Sequence, residues 1–204
     1  MIRYRQKMII LALGGSMLLW AGCRDKLTPE TRDYVEYGWE LFLEGEYREA
    51  VEQFEIGVGE EDGGAQYADG WNGIGWSYAR LGAADTSKTN FTRGVALADT
   101  SEVGTDVLSG RAFANLALGV YVDAVSDGKA ALVRDATWTF SRDATVTFEH
   151  LVLTVAEGFY GLGEYDSSYT WVRKLESTFS LGDPSSLAGR AELADKIEEL
   201  DDLI

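Results

Sequence analysis

Few residues in this chain have side chains that could carry out chemistry. The sequence of 204 residues contains one cysteine, Cys23, and one histidine, His150. A single cysteine excludes an internal disulfide, and the usual four-ligand Cys/His metal site cannot be assembled from this pair. No serine stands in the G-x-S-x-G sequence of a nucleophile elbow, so no nucleophile is marked for His150 to activate. The sequence therefore predicts neither an enzyme nor a cofactor, and a hydrolase that uses His150 is the weakest alternative.

Two segments that could bind ions lack the spacing that binding requires. Residues 60–64 (Glu-Glu-Asp-Gly-Gly) are acidic, but their carboxylates do not alternate as they do in a calcium-binding loop. Residues 73–75 (Gly-Ile-Gly) have no strand before them and no Lys-Ser/Thr pair after them, unlike a phosphate-binding loop. The net charge of −16 also repels phosphate backbones and anionic lipid headgroups. Metals and nucleic acids are therefore not predicted ligands.

The N-terminus has the sequence features of an export signal. Residues 1–7 are basic, and residues 8–20 are almost wholly apolar, a run too short for a membrane span of about 20 residues. The tripeptide Ala21-Gly22-Cys23 resembles a bacterial lipobox, although Trp20 stands where that family usually has Leu. The resemblance implies a signal peptide over 1–22, lipidation at Cys23 and a tether over 23–30. An uncleaved anchor and ordinary secretion are the alternatives, but ordinary secretion lacks its A-x-A site.

The same resemblance implies an address in the cell envelope. In diderm bacteria an Asp after the lipidated cysteine retains a lipoprotein in the inner membrane, and here that residue is Arg24. We therefore expect a lipid-anchored protein on the outer membrane, facing the periplasm, with the membrane contacted through the N-terminal lipid.

Behind this signal the chain repeats itself at a constant offset of 37 residues. The first copy runs Tyr34, Gly38, Leu41, Gly45, Tyr47, Ala50, Phe54, and the second runs Trp71, Gly75, Tyr78, Gly82, Ala84, Ser87, Phe91. The large residues have helical spacing, so each copy predicts a pair of helices with one buried stripe. A mid-helix glycine costs about 1 kcal/mol relative to alanine, so Gly38 and Gly75 need a packing reason. Gly45 and Gly82 are expected to end the first helices in the left-handed conformation.

This pattern resembles the tetratricopeptide repeat, a 34-residue helical hairpin. The resemblance implies an all-α, right-handed superhelical solenoid of about four hairpins, over 31–64, 68–101, 105–138 and 149–182. The third copy departs from the family pattern at Arg111, Asn115 and Gly128, where large apolar residues are expected. Residues 183–204 are predicted to form a capping helix, with Asp183-Pro184 at its start and Leu193, Ile197, Leu200 and Ile204 along its buried face.

An insertion separates the third copy from the fourth. Residues 139–148, together with Trp138, alternate apolar and polar side chains and favour extended backbone. They could form a short hairpin or a folded-over loop. We expect a spacer that packs Trp138 and Phe140 onto the solenoid, with a binding loop as the alternative.

By resemblance, the first helix of each copy lines a concave groove. Repeat position 9 is then Trp39, Trp76, Phe113 and Glu157 in successive copies. The candidate groove residues are Trp39, Phe42, Asn72, Trp76, Arg80, Phe113 and Tyr160. Aromatic rings beside an amide and a guanidinium suit an extended peptide. In the alternative, the tether or the insertion fills the groove and the aromatic column is core.

We therefore expect a membrane-anchored interaction module or scaffold that binds a protein or peptide partner. The alternative function is a lipoprotein that captures an oligosaccharide or small ligand on its concave aromatic face.

Overall fold

The computed structural model describes residues 31–59, 64–98 and 103–204. The signal segment, Cys23, Arg24, the tether, most of the acidic run 60–64 and part of two inter-repeat connections lie outside these described residues. Within them the chain forms nine α-helices: α1 Thr31–Glu44, α2 Tyr47–Gly59, α3 Gly64–Arg80, α4 Ala84–Leu97, α5 Val103–Ala117, α6 Tyr121–Arg134, α7 Phe148–Gly161, α8 Tyr165–Leu175 and α9 Leu187–Leu203. None of these helices is long and apolar enough to cross a bilayer.

The helices form a two-layered solenoid. Consecutive helices pair as hairpins, and α1, α3, α5 and α7 contact one another in order along an inner layer. The outer helices α2, α4 and α6 each contact only their hairpin partner and the next inner helix. The predicted all-α solenoid of four helical hairpins is confirmed.

The four hairpin turns share one backbone geometry. Gly45, Gly82, Gly119 and Gly163 are the only residues with positive φ among those described, with values between 70° and 85°. At each turn the next amide donates to a carbonyl five residues back, as Glu46 donates to Leu41 at 2.9 Å and Ala83 to Tyr78 at 2.9 Å. This pattern caps the first helix of each hairpin, as its glycine predicted. All four copies therefore have the register that the sequence indicated.

The mid-helix glycines make room for two phenylalanine rings. A Cβ on Gly38 would lie 2.7 Å from the Phe54 ring, and one on Gly75 would lie 2.6 Å from the Phe91 ring. Each ring is also contacted from the next repeat, where Gly73 faces Phe54 and Gly110 faces Phe91. Both rings are fully buried. Each phenylalanine ring thus packs between its own hairpin and the following one.

The third repeat replaces part of this apolar packing with a polar network. Arg111 donates to both carboxylate oxygens of Asp127, at 2.8 and 2.7 Å, and Asn115 donates to Asp127 at 3.1 Å. Asn115 and Asp127 are buried. The departures at Arg111 and Asn115 are therefore compensated by Asp127 on the partner helix.

The C-terminal helix α9 covers the last hairpin through Leu193, Leu200 and Ile197. The predicted start at Asp183-Pro184 is wrong, because α9 begins at Leu187 with Ser186 as its N-cap, accepting from the Gly189 amide at 3.0 Å. The Asp183 carboxylate instead accepts from the Ser185 amide at 2.9 Å. Asp183 therefore forms a turn that precedes the helix.

Candidate functional site

The inner layer is covered along its N-terminal half by residues 135–147, called the crossover segment below. This segment connects α6 to α7 and contacts side chains of α1, α3 and α5. One antiparallel bridge joins Thr139 to Thr147, and the Phe140 amide donates to the Val146 carbonyl at 2.9 Å. The Phe148 amide donates to the Trp138 carbonyl at 2.6 Å. The insertion is thus a short folded-over loop that lies in the predicted groove.

Phe140 is the centre of this contact. Its side chain is fully buried and stacks on Trp76, with ring centroids 4.3 Å apart and planes inclined by 19°. It also meets Trp39 and Phe42 edge-on, at 6.1 and 6.3 Å. Trp138, which is 3% exposed, packs beside Phe113 at 6.4 Å. The insertion therefore packs Trp138 and Phe140 onto the solenoid, as expected of a spacer.

Polar contacts join the crossover segment to the floor of the groove. The Trp138 indole of the segment donates to Asp106 at 2.6 Å. Within the floor itself, the Trp39 indole of α1 donates to Asp69 of α3 at 2.9 Å. The Arg142 guanidinium lies over the Trp39 ring at 4.9 Å and is 3.9 Å from the Asp69 carboxylate.

A further ion pair joins the rim of the groove to the crossover segment. It is formed by Arg80 at the end of α3 and Asp143. Hydrogen bonds from Thr145 hold the pKa of Asp143 below its usual value, with a smaller contribution from Arg80.

Two carboxylates of the groove floor have raised pKa values. Burial raises the pKa of Asp106 to about 6, against the opposing hydrogen bond from Trp138. Asp69 raises the pKa of Asp106 further, whereas Arg142 lowers it. Burial also raises the pKa of Asp69, against the hydrogen bond from Trp39 and the charge of Arg142. Arg142 is thus the cation that stabilises both carboxylates in their ionised form.

Three polar atoms of the groove floor have no hydrogen-bond partner among the described residues. They are both side-chain amide atoms of Asn72 and the indole nitrogen of Trp76. Asn72 lies near enough to Asp69 to lower its pKa, yet meets no partner in hydrogen-bond geometry. These residues are 1% and 5% exposed. Leaving such buried groups unpaired costs about 1–3 kcal/mol each, so the crossover segment satisfies the apolar part of the floor better than the polar part.

The C-terminal half of the inner layer holds an open cavity of about 410 Å³ between α5, α7 and α9. Tyr160, Leu116 and Ile197 form aromatic and aliphatic walls, and three carboxylates line it, from Glu157, Glu198 and Asp201. Burial raises the pKa of Glu157 to about 7, and the charge of Asp201 raises it further. The Tyr160 hydroxyl donates to the Arg190 carbonyl at 3.2 Å, which ties α7 to α9.

The predicted groove residues therefore fall into two groups. Trp39, Phe42 and Trp76 are buried against Phe140 of the crossover segment, and Asn72 is buried in the same layer. Phe113 is half-buried beside the segment, and Arg80 pairs with it. Tyr160 lies apart from them, in the open cavity. The carboxylates that α9 adds to this cavity were not among the predicted site residues. The sequence of α9 predicted a capping helix and did not indicate that this helix also forms a wall of the cavity.

His150 has a structural role at the start of α7. Its Nδ1 atom accepts a hydrogen bond from the Thr147 amide at 3.2 Å, and Thr147 accepts one from the Glu149 amide at 3.3 Å. Together they form a capping box at this helix end. The imidazole also borders a cavity of about 220 Å³ with Arg80 and Phe113.

Solved structures resemble this fold. A tetratricopeptide repeat protein from Parabacteroides merdae superposes with a TM-score of 0.58 and 13% identity, over 84% of this chain and 60% of that one. The chain therefore spans less than two thirds of that protein. MamA AMB-1 superposes with a TM-score of 0.58, 16% identity and coverage of 84% and 92%. A Podosopora anserina putative kinesin light chain with TPR-like repeats superposes with a TM-score of 0.56 and 17% identity, over 84% of this chain and 91% of that one. The fold is therefore tetratricopeptide-like.

No protein-family profile and no curated protein sequence matches this chain.

Proposed function

We propose that this protein is an interaction module of the bacterial cell envelope that binds a basic segment of a protein partner on its concave face. The observation that carries the proposal is the open cavity between α5, α7 and α9, which combines three carboxylates with a tyrosine ring and aliphatic walls. The lipid at Cys23 would hold the module at the membrane, on the outer membrane and facing the periplasm. No reaction is part of the proposal.

The charge of the cavity selects the chemistry of the partner. Glu157 is half-buried, and its pKa of about 7 is raised by burial and by the charge of Asp201. An ammonium or guanidinium group that entered the cavity would offset both effects and allow Glu157 to ionise. Glu198 and Asp201 at the mouth would attract that group from solvent.

The walls of the cavity fit the rest of a basic side chain. Lysine and arginine carry three or four methylene groups, which pack on apolar surface while the charged head meets carboxylates. Tyr160, Leu116 and Ile197 offer such a surface. The tyrosine face also attracts a cation by its quadrupole. The acidic mouth of the cavity and its aromatic and aliphatic walls together favour a lysine or arginine of a partner over an apolar or acidic side chain.

The tetratricopeptide-like fold supports a protein partner over a sugar. Oligosaccharide capture would use the faces of Trp39 and Trp76 as platforms, and both rings are buried beneath the crossover segment. The open cavity offers carboxylates, which suit a cation. The concave face therefore favours a basic peptide segment.

Site-specific photocrosslinking in the native cell envelope tests this proposal. A photoreactive residue at Glu198, on the mouth of the cavity, is expected to give a discrete protein adduct. The matched control is Val133 on the outer helix α6, which is 87% exposed and does not line the cavity. The adduct should weaken when Glu157→Gln and Asp201→Asn are introduced together. Equal labelling at Glu198 and Val133, or an adduct insensitive to the two substitutions, would refute the cavity as the binding site.

A further inference from the structure

We infer that the crossover segment occupies a second binding site on the concave face, and that a partner peptide of similar chemistry displaces it. The partner chemistry is a segment that carries an aromatic residue followed two positions later by arginine or lysine. This inference rests on the proposed function only in assigning a peptide partner to the concave face. The site itself, its floor and its test are separate from the acidic cavity.

The crossover segment enters the groove with alternate side chains, and its backbone turns after Phe140, where the Asp143 amide donates to the Phe140 carbonyl at 3.1 Å. Trp138, Phe140 and Arg142 alternate along the chain, and all three contact the inner helices. Thr139 and Ser141 between them are exposed. The groove therefore contacts every second side chain of this segment, an aromatic ring at position 140 and a cation at position 142.

The floor of the groove requires both features of the occupant. Trp76 stacks on Phe140, and Trp39 and Phe42 enclose the same ring, so an aromatic side chain fills this pocket. The carboxylates of Asp69 and Asp106 lie beneath Arg142, which lowers the pKa of both. An occupant without a cation at this position would raise the pKa of both carboxylates further and favour their protonated forms.

The crossover segment leaves the floor incompletely satisfied. Both side-chain amide atoms of Asn72 and the Trp76 indole nitrogen are buried and have no hydrogen-bond partner among the described residues. A side-chain amide offers one acceptor and donors, which match the N–H and C=O groups of a peptide backbone. A partner peptide that supplied these groups would gain hydrogen bonds that the crossover segment does not make.

Displacement is a competition between an intramolecular and an intermolecular occupant. The crossover segment is tethered at both ends, and a short tether gives an effective concentration in the millimolar range. A partner peptide can bind only the fraction of molecules in which the groove is open, and its apparent affinity is reduced in proportion to that fraction. Weakening the crossover segment must therefore strengthen binding of a peptide added from outside.

The decisive experiment adds the segment back as a free peptide. The probe is a synthetic peptide with the sequence of residues 137–145, Thr-Trp-Thr-Phe-Ser-Arg-Asp-Ala-Thr. Calorimetry is expected to show that Phe140→Ala binds it at least about tenfold more tightly than the unchanged protein or the Ser141→Ala control does. Peptides in which Phe or Arg is replaced by Ala should bind Phe140→Ala about tenfold more weakly. A folded Phe140→Ala protein that does not bind the peptide would overturn the inference.

A second measurement decides the matter if Phe140→Ala does not fold. Hydrogen exchange followed by NMR reports on the Phe140 and Phe148 amides, which donate to Val146 and Trp138. In the unchanged protein both are expected to exchange faster than the buried amides of α3, and faster still when the peptide is added. Exchange of these amides only through global unfolding, with or without peptide, would make the segment permanent core. Neither experiment involves Glu157 or Glu198, so its failure is distinct from failure of the proposed function.

Discussion

Phe140 stacks on Trp76 at 4.3 Å between ring centroids and closes a groove that the repeat pattern alone would leave open. Trp76 belongs to the second hairpin, whereas Phe140 belongs to an insertion between the third and the fourth. The contact joins repeats that helical stacking would connect only through their neighbours. It buries the aromatic column of the inner layer as core, whereas the C-terminal end of the concave face keeps an open cavity.

Phe140→Ala tests how much this contact stabilises the solenoid. Removal of a fully buried phenylalanine ring should lower the free energy of unfolding by about 3–5 kcal/mol, through lost burial and a residual cavity. Urea denaturation followed by circular dichroism measures the change. Ser141→Ala, one residue on and exposed, should change stability by no more than about 0.5 kcal/mol. A loss below about 1 kcal/mol for Phe140→Ala would show that the ring is not core.

Gly110→Ala tests the close approach between successive repeats. A Cβ at this position would overlap the ring of Phe91, which is fully buried, so the hairpins must separate. Overpacking of this kind should cost about 1–3 kcal/mol in thermal or urea denaturation. Adding Phe91→Leu should recover part of the loss because a smaller side chain makes room. The control is Gly59→Ala at the end of α2, where a Cβ would meet no described atom within 4 Å beyond its own helix and chain neighbours, and it should be neutral or slightly stabilising.

Arg111→Leu tests the polar network of the third repeat. The substitution leaves the buried carboxylate of Asp127 without its bidentate partner and should cost about 3 kcal/mol. The double variant Arg111→Leu/Asp127→Ala should recover most of that loss, since no uncompensated charge remains. The control is Arg32→Ala, which breaks an exposed pair with Glu36 and should cost less than about 0.5 kcal/mol. Additive losses for Arg111 and Asp127 would contradict the coupling.

Glu157→Gln tests the acidic cavity through the pH dependence of stability. The pKa of Glu157 is raised from 4.5 to about 7, so the folded protein binds this proton more tightly than the unfolded chain. Its contribution therefore falls as the pH rises from about 4.5 to about 7. The variant should match the unchanged protein at pH 4 and exceed it by about 1–2 kcal/mol at pH 8, after allowance for solvent screening.

Urea denaturation across this pH range gives the difference between the two proteins. Glu55→Gln, on the exposed face of α2, controls for the loss of a carboxylate at the surface. A stability difference for Glu157→Gln that is the same at pH 4 and pH 8 would contradict the burial of this carboxylate. A basic partner that binds beside Glu157 should also bind more tightly as the pH rises through about 7 and should release a proton on binding.

Cys23→Ser tests the envelope anchor. The unchanged protein is expected in the membrane fraction with a lipid-modified N-terminal cysteine, because acyl chains contribute about 0.8 kcal/mol per buried CH₂ group. The variant should lose that modification in mass spectrometry and leave the membrane fraction. An unmodified Cys23 in the mature, unchanged protein would remove the basis for the anchor.

The sequence by itself determined the hairpins and their register. Helical spacing of large residues, a glycine at each hairpin turn and paired mid-helix glycines are local properties, since each acts within one helix or between adjacent helices. The four turn glycines with positive φ lie where the repeat alignment predicted them. The buried face of α9 was equally readable from its spacing. Its starting residue was not, because Asp183 and Ser186 are both suitable N-caps and only the packed turn selected Ser186.

Tertiary structure alone decided which inner residues are open. Trp39, Trp76 and Tyr160 all lie on the predicted groove face of their helices, and no local signal shows which of them is covered. The crossover segment buries the first two because its length, its alternation and the placement of Phe140 and Arg142 bring it across α1 and α3. The pKa of Glu157 is raised by burial in the folded chain and further by Asp201, which belongs to α9. Exposure depends on which distant segment covers a residue, and that contact exists only in the assembled chain.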